Sequence, residues 1–265
     1  MRIAIITGAT SGMGREMTRQ IDKTVSAVEG FWLIGRRKTE LSLTASMLTK
    51  SSKLFALDLS KKQDLEALNE ALRDEKPEVL FLVNAAGLGK IGAFQRIPWK
   101  DLMEIDDVNV RALTVVTSLC LPYMRRGRKK ASYLINFSSG SAFLPQPYFA
   151  SYAASKSYVL NLSRALRKEL HGSGITVTAV CPGPVRTEFF KTAESTGRMA
   201  PYKKYFMADA KKVCQKALQD SLKGRALSVY GITMKLLHVF SHIVPAELIL
   251  RFYHVEKEED RSCGN

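Results

Sequence analysis

The chain has 265 residues, 46% of them hydrophobic, with a formal net charge of +15 and only 4 cysteines. That apolar content can fill a large core, and no Pro/Gly/Ser-rich linker or repeat divides the chain, so one α/β domain is expected. Cys120, Cys181, Cys214 and Cys263 are far apart and form no C-x-x-C, which argues against a zinc site or a disulfide framework and for a reducing, cytoplasmic setting.

Apolar, β-rich runs alternate with helical patterns from the first residues onward. The expected strands are Arg2–Ile6, Phe31–Gly35, Lys53–Leu57, Glu78–Val83, Ala131–Phe137, Ile175–Val180 and Ala226–Tyr230. Runs as continuously apolar as Val79-Leu80-Phe81-Leu82-Val83 suit a parallel sheet covered by helices on both faces, that is, a doubly wound fold. The first strand begins too early to leave room for an export signal. It runs directly into Thr7-Gly8-Ala9-Thr10-Ser11-Gly12-Met13-Gly14, a glycine-rich turn entering a helix. A backbone that turns sharply there, with no Cβ at Gly8, Gly12 or Gly14, lets phosphate oxygens approach the helix N-terminus. Thr10, Ser11 and Met13 belong to the same expected cradle.

After the second strand come Arg36, Arg37 and Lys38, with no acid before Glu40. A site for the unphosphorylated dinucleotide needs a carboxylate at that point for the ribose hydroxyls, whereas guanidinium groups bind a 2′-phosphate. NADP(H) is therefore the expected cofactor. Asp58 and Leu59 end the third strand, where Asp58 reads either as an adenine contact or as a helix cap. Further on stand Asn84-Ala85-Ala86-Gly87, Asn109, Ser138-Ser139, Tyr152-Ala153-Ala154-Ser155-Lys156 and Cys181-Pro182-Gly183-Pro184-Val185-Arg186-Thr187. Ser139 lies thirteen residues before Tyr152, and a helix places Tyr152 and Lys156 on one face. At ~4 Å and an effective dielectric of ~20, an ammonium stabilises a phenolate by about 4 kcal/mol, enough to bring a tyrosine near neutrality.

The G-x-x-x-G-x-G turn and the later motifs, in this order and spacing, resemble the short-chain dehydrogenase/reductase family over residues 1 to about 230. The resemblance implies strand order 3-2-1-4-5-6-7 and a cofactor cleft between the first and fourth strands. It implies that Gly8, Thr10, Ser11, Gly12, Met13, Gly14, Arg36, Arg37, Asp58, Leu59, Asn84, Ala85, Gly87, Pro182, Gly183, Val185 and Thr187, with Tyr152 and Lys156, bind the dinucleotide. Ser139 would orient the substrate oxygen, Tyr152 would exchange its proton, Lys156 would assist, and Asn109 would hold a water linking Lys156 to solvent. Ser11 departs from many NADP-type relatives, which carry a basic residue there. The implied reaction interconverts an apolar ketone, such as a steroid or acyl ketone, and its secondary alcohol; the alternative is a catalytically silent dinucleotide sensor or scaffold.

Residues 187–210, rich in Phe, Tyr and Met, read as a substrate lid or an ordinary helix pair, and residues 231–265 as a C-terminal helical extension of the same domain. The extension suits a subunit interface, in a homodimer or homotetramer, or a membrane surface. Lys235, His238, His242, Pro245 and Glu247 interrupt it too often for a membrane span. The basic run Arg125–Lys130 reads as a solvated loop, with an anionic membrane or acidic protein as alternative contacts. Without interleaved aromatics it does not read as a nucleic-acid site.

Overall fold

The structure, a computed structural model, describes residues 1–124, 132–195, 197 and 207–251. The basic run 125–130, residues 198–206 of the segment expected as a lid or helix pair, and Cys263 lie outside the described residues. Seven parallel strands form one sheet in the order β3-β2-β1-β4-β5-β6-β7: β1 Arg2–Thr7, β2 Gly30–Gly35, β3 Ser51–Ala56, β4 Glu78–Asn84, β5 Ser132–Phe137, β6 Ile175–Val180 and β7 Leu227–Ser228.

Alternation along each strand explains the continuous apolar runs. In β1, Ala4 and Ile6 face one core layer with Met17 and Ile21 of α1 (Gly12–Thr24), while Ile3 and Ile5 face the other with Leu68 and Leu72 of α3 (Lys62–Glu75). Helix α8 (Ala210–Leu222) covers the first face through Cys214, Ala217 and Leu218; α5 (Leu113–Cys120) covers the second through Val116 and Cys120. The long helix α6 (Ala150–Glu169) packs on β6, and α2 (Lys38–Ala45) follows β2. Cys120, Cys181 and Cys214 are free, buried thiols.

The two edges depart from expectation. β7 pairs through Ala179↔Leu227 and Val180↔Ser228 alone, so the expected strand 226–230 shrinks to two residues. β3 starts at Ser51 and its burial alternates between half-buried and exposed, because it has one neighbour and is not sandwiched like β1.

β1 and β4 stay paired to their last residues, Thr7↔Asn84, and the segments that follow them line a cleft. The Thr7 hydroxyl accepts hydrogen bonds from Ala85 N and Ala86 N, both at 3.2 Å, tying the chain after β4 to the start of the glycine turn. Gly8 has φ +69°, and a Cβ on Gly14 would lie 2.2 Å from the Gly8 carbonyl oxygen. The first turn of α1 therefore seats directly on the loop backbone. Gly14→Ala should destabilise the fold by about 1–3 kcal/mol, the usual range for overpacking, read as a lower urea midpoint at unchanged m-value.

Candidate active site

Two cavities meet at the carboxyl end of the sheet. The first, about 460 Å³, runs along the glycine turn past Gly8, Thr10, Ser11, Gly12, Met13 and Gly14, then across to Ala85 and Gly87. Its far end is bounded by Arg36, Arg37, Asp58 and Leu59, and its near end by Thr187. The second, about 420 Å³, holds Ser139, Tyr152 and Lys156 and is walled by Pro182, Gly183 and Val185 of the loop after β6. Met13, Ala85, Gly87, Thr187 and Phe189 line both, so the cavities are continuous.

The turn fits a dinucleotide pyrophosphate on the evidence of its backbone. A Cβ on Gly8 would fall 2.7 Å from Ala86 N, and one on Gly12 would fall 3.3 Å from Thr187 Cβ, so side chains there would fill the trough. Ser11 precedes α1 in an extended conformation and makes no side-chain cap. Asp58 does not cap α3, which begins after Lys61; its Oδ1 instead accepts from Ser60 Oγ at 2.7 Å and Ser60 N at 3.1 Å. Burial would raise the Asp58 pKa, yet the Ser60 hydrogen bonds, with Arg36 and Lys61 nearby, hold it below the usual carboxylate range.

Asn84 corrects the expectation. Its side chain does not line the cleft: buried behind β4, Nδ2 donates to Thr117 Oγ1 and to Asn136 Oδ1, both at 2.9 Å, bracing β4 against β5 and α5. As the last residue of its strand, it points into the layer under the sheet while Ala85 to Gly87 turn into the cleft.

Folding also supplies acids that sequence spacing did not reveal. Arg36 Nη1 donates to Glu104 of α4 (Trp99–Asp106) at 2.8 Å, and Arg37 Nη2 to Glu188 at 3.2 Å. All four side chains are at least one-third exposed, so these pairs are solvated and weak. Arg15, in the first turns of α1, donates to the Thr10 carbonyl and pairs with Glu40, placing a cation close to the glycine loop.

The two serines that follow β5 take different roles at the second cavity. Ser138 Oγ donates to the Lys156 carbonyl at 2.7 Å, committing it to holding α6. Ser139 and Tyr152 line the same cavity, and Ser139 Oγ accepts from Ser141 N at 3.1 Å. Tyr152 stacks on Phe149 with ring centroids 4.3 Å apart and meets Phe189 at 5.3 Å. Lys156 is 4% exposed; its Nζ donates to the Phe137 carbonyl at 2.9 Å and lies 5.6 Å from the centre of the Tyr152 ring.

Burial adds to the two-charge expectation for Tyr152. Burial pushes its phenol up to about 12 against the Ser139 hydrogen bond, and burial pulls Lys156 down to about 8. Burial acts on both groups and favours the neutral form of each.

Asn109 is fully buried in a π-helical turn, Asp107–Ala112, and is not back-bonded to its own helix. Its Oδ1 accepts from Leu88 N at 2.9 Å, and its Nδ2 donates to Leu88 O at 2.8 Å and Ser155 Oγ at 2.9 Å. A Cβ on Gly87 would sit 3.1 Å from Lys156 Nζ and 3.2 Å from Asn109 Oδ1, so those two groups close around the Gly87 backbone.

The sequence did not single out Phe149 before α6, Thr233 and Met234 of α9 (Ile232–Ile243) or Ile249 of α10 (Ala246–Arg251), which with Leu237 of α9 shape the substrate cavity. Helical spacing of 233, 234 and 237 was the available signal. The described part of segment 187–210 includes a short helix, α7 (Phe189–Ala193), whose Phe189 and Phe190 line the cavity. No described helix is long and apolar enough to cross a membrane.

The chain matches the short chain dehydrogenase family model over residues 2–197. It is similar to a serine 3-dehydrogenase of Agrobacterium fabrum, 34% identical over 189 residues covering 70% of this chain and 72% of that one. It is also similar to an NADPH-dependent 3-dehydrocapnine reductase of Ornithobacterium rhinotracheale, 29% identical over 213 residues covering 77% and 71%. A short-chain dehydrogenase from Sphingobium yanoikuyae, solved in complex with NADPH, has the same fold, with a TM-score of 0.77 at 22% identity over 99% of this chain and 100% of that one. A parallel sheet of this order, a glycine-turn cleft and a match over most of the length identify the chain as an oxidoreductase of the short-chain dehydrogenase/reductase family.

Proposed function

We propose that the protein is an NADP(H)-dependent oxidoreductase interconverting an apolar ketone and its secondary alcohol. One observation carries the reading: Ser139 and Tyr152 meet in an apolar cavity that is continuous with the glycine-turn cleft. Gly8 to Gly14, Ala85, Gly87 and Asp58–Leu59 would hold the dinucleotide, and Pro182, Gly183, Val185 and Thr187 would orient its reactive ring. When bound, that group would supply the hydride. Support for NADP(H) comes from Arg36 and Arg37 at the far end of the cleft, whose exposed partners Glu104 and Glu188 a phosphate can displace. The Ornithobacterium relative is NADPH-dependent, and the Sphingobium enzyme was solved with NADPH.

In ketone reduction the carbonyl oxygen gains negative charge. Ser139 Oγ orients and stabilises that oxygen, and the Tyr152 hydroxyl delivers the proton. Lys156, anchored on the Phe137 carbonyl, stabilises the phenolate and hands back a proton; we assign Asn109 to the water-linked route from Lys156 to solvent. Phe149 and Phe189 flank the phenol and keep the reacting oxygen dry. Residues 1–230 form the dinucleotide-binding unit, and the extension from 231 completes the pocket. The proposal includes a cytoplasmic setting, consistent with three buried free thiols, and a homodimer or homotetramer, for which exposed Leu236, Phe240 and Ile243 on α9 are available.

Tyr152→Phe should abolish NADPH oxidation across a panel of steroid, acyl and aryl ketones while NADPH binding, read by fluorescence, stays within about twofold; retained turnover would falsify the acid assignment. Arg36→Ala/Arg37→Ala should weaken NADPH by at least about tenfold, the scale of one charge-assisted contact, with NADH unchanged; equal losses for both cofactors would contradict the phosphate site. The pH profile follows from burial. Lys156 is charged below about 8 and neutral above it, so reductive kcat/KM should fall as pH rises through that value while alcohol oxidation, which needs the proton removed, rises.

A further inference from the structure

Beside the substrate cavity, on the far side of the loop after β6, lies a third cavity of about 690 Å³. Its polar lining is mainly cationic: Arg186 and Lys212 are both exposed, with Tyr230 half-buried beside them. Among the described residues neither cation forms an ion pair. The one acid in the wall, Asp209, uses Oδ1 to accept from Lys211 N at 2.7 Å, capping α8, so its charge is already matched to the positive end of that helix. The walls are fixed by backbone pairing: Arg186 N donates to Ala208 O at 3.0 Å and Ala208 N to Pro184 O at 2.8 Å. The cavity therefore has a set shape and a net positive lining.

The partition between this cavity and the substrate cavity is thin. Gly183, Pro184, Thr233 and Met234 line both. A Cβ on Gly183 would fall 2.9 Å from Met234 Sδ, so a flexible thioether packed on a glycine is what stands between them. An unbranched methionine has the rotameric freedom to move aside for an apolar chain.

We propose that Arg186 and Lys212 form an anion subsite for the charged end of an amphipathic ketone, whose carbonyl reaches Tyr152 and whose apolar body passes Met234. The substrate class is thus an oxo compound ending in a carboxylate, sulfonate or phosphate. This rests on the hydride-transfer reading above for its carbonyl end, but the subsite itself is separable from it. Arg186 is placed to engage an oxyanion by paired hydrogen bonds, and Lys212 adds a second cation at the N-terminal turn of α8.

The test uses the full chain with NADPH, a series of oxo fatty acids and their methyl esters, and the variant Arg186→Glu/Lys212→Glu. Wild type should show a KM for the acids roughly three- to tenfold below that of the esters, the scale of partly solvated charge contacts. In the variant that preference should vanish or reverse, with ester kcat and KM unchanged. A parallel titration measures octanesulfonate against octanol by calorimetry, which needs no turnover. Octanesulfonate should bind wild type and lose at least about fivefold in the variant. Equal KM for acids and esters, or octanesulfonate binding unaffected by the variant, overturns the subsite while leaving ketone reduction intact. Binding of octanesulfonate with no ketone turned over overturns the hydride-transfer reading and keeps the subsite.

Discussion

Holding an ammonium out of water at the carboxyl end of a parallel sheet is costly, and the surrounding chain is organised to offset that cost at Lys156. The carbonyl that accepts from its Nζ belongs to Phe137, the last residue of β5. The serine that follows, Ser138, grips the Lys156 carbonyl and so fixes α6 to the strand end. Gly87 leaves room for the ammonium by having no side chain, and Asn109 clamps the neighbouring Leu88 backbone on both its N–H and C=O. Because Tyr152 sits one turn before Lys156 on α6, the same contacts set the phenol against Ser139. The site is thus a consequence of where two strands end and one helix starts.

Most of this was legible along the chain because it depends on local spacing. Glycines at 8, 12 and 14 after a buried strand, and Tyr152 one turn from Lys156, need no tertiary information. What failed to show was long-range. Glu104 and Glu188 reach Arg36 and Arg37 from 68 and 151 residues away, so the absence of an acid near residue 36 said nothing about the folded neighbourhood. Asn84 read as a cleft residue by proximity to Gly87, but strand alternation turns its side chain under the sheet. Burial also acts on both Tyr152 and Lys156, and no sequence pattern gives that burial.

The C-terminal extension forms one wall of the substrate cavity. One side of α9 presents Thr233, Met234 and Leu237 to the substrate cavity, and the other exposes Ile232, Leu236, Val239, Phe240 and Ile243. A single helix therefore both closes the pocket and offers an apolar outer face. The family match ends at residue 197, before these helices, so Thr233, Met234, Leu237 and Ile249 bring chain outside the matched region into the pocket wall.

The most direct measurement of the central claim follows the transferred atom. NADPH carrying deuterium at C4 of its nicotinamide would be incubated with the protein and an apolar ketone such as acetophenone or an oxo fatty acid ester, and the product alcohol examined by NMR. The account predicts deuterium on the carbinol carbon and a solvent proton on the oxygen. NADPH that binds while every ketone is recovered unchanged, or an alcohol whose carbinol hydrogen comes from solvent, would contradict it.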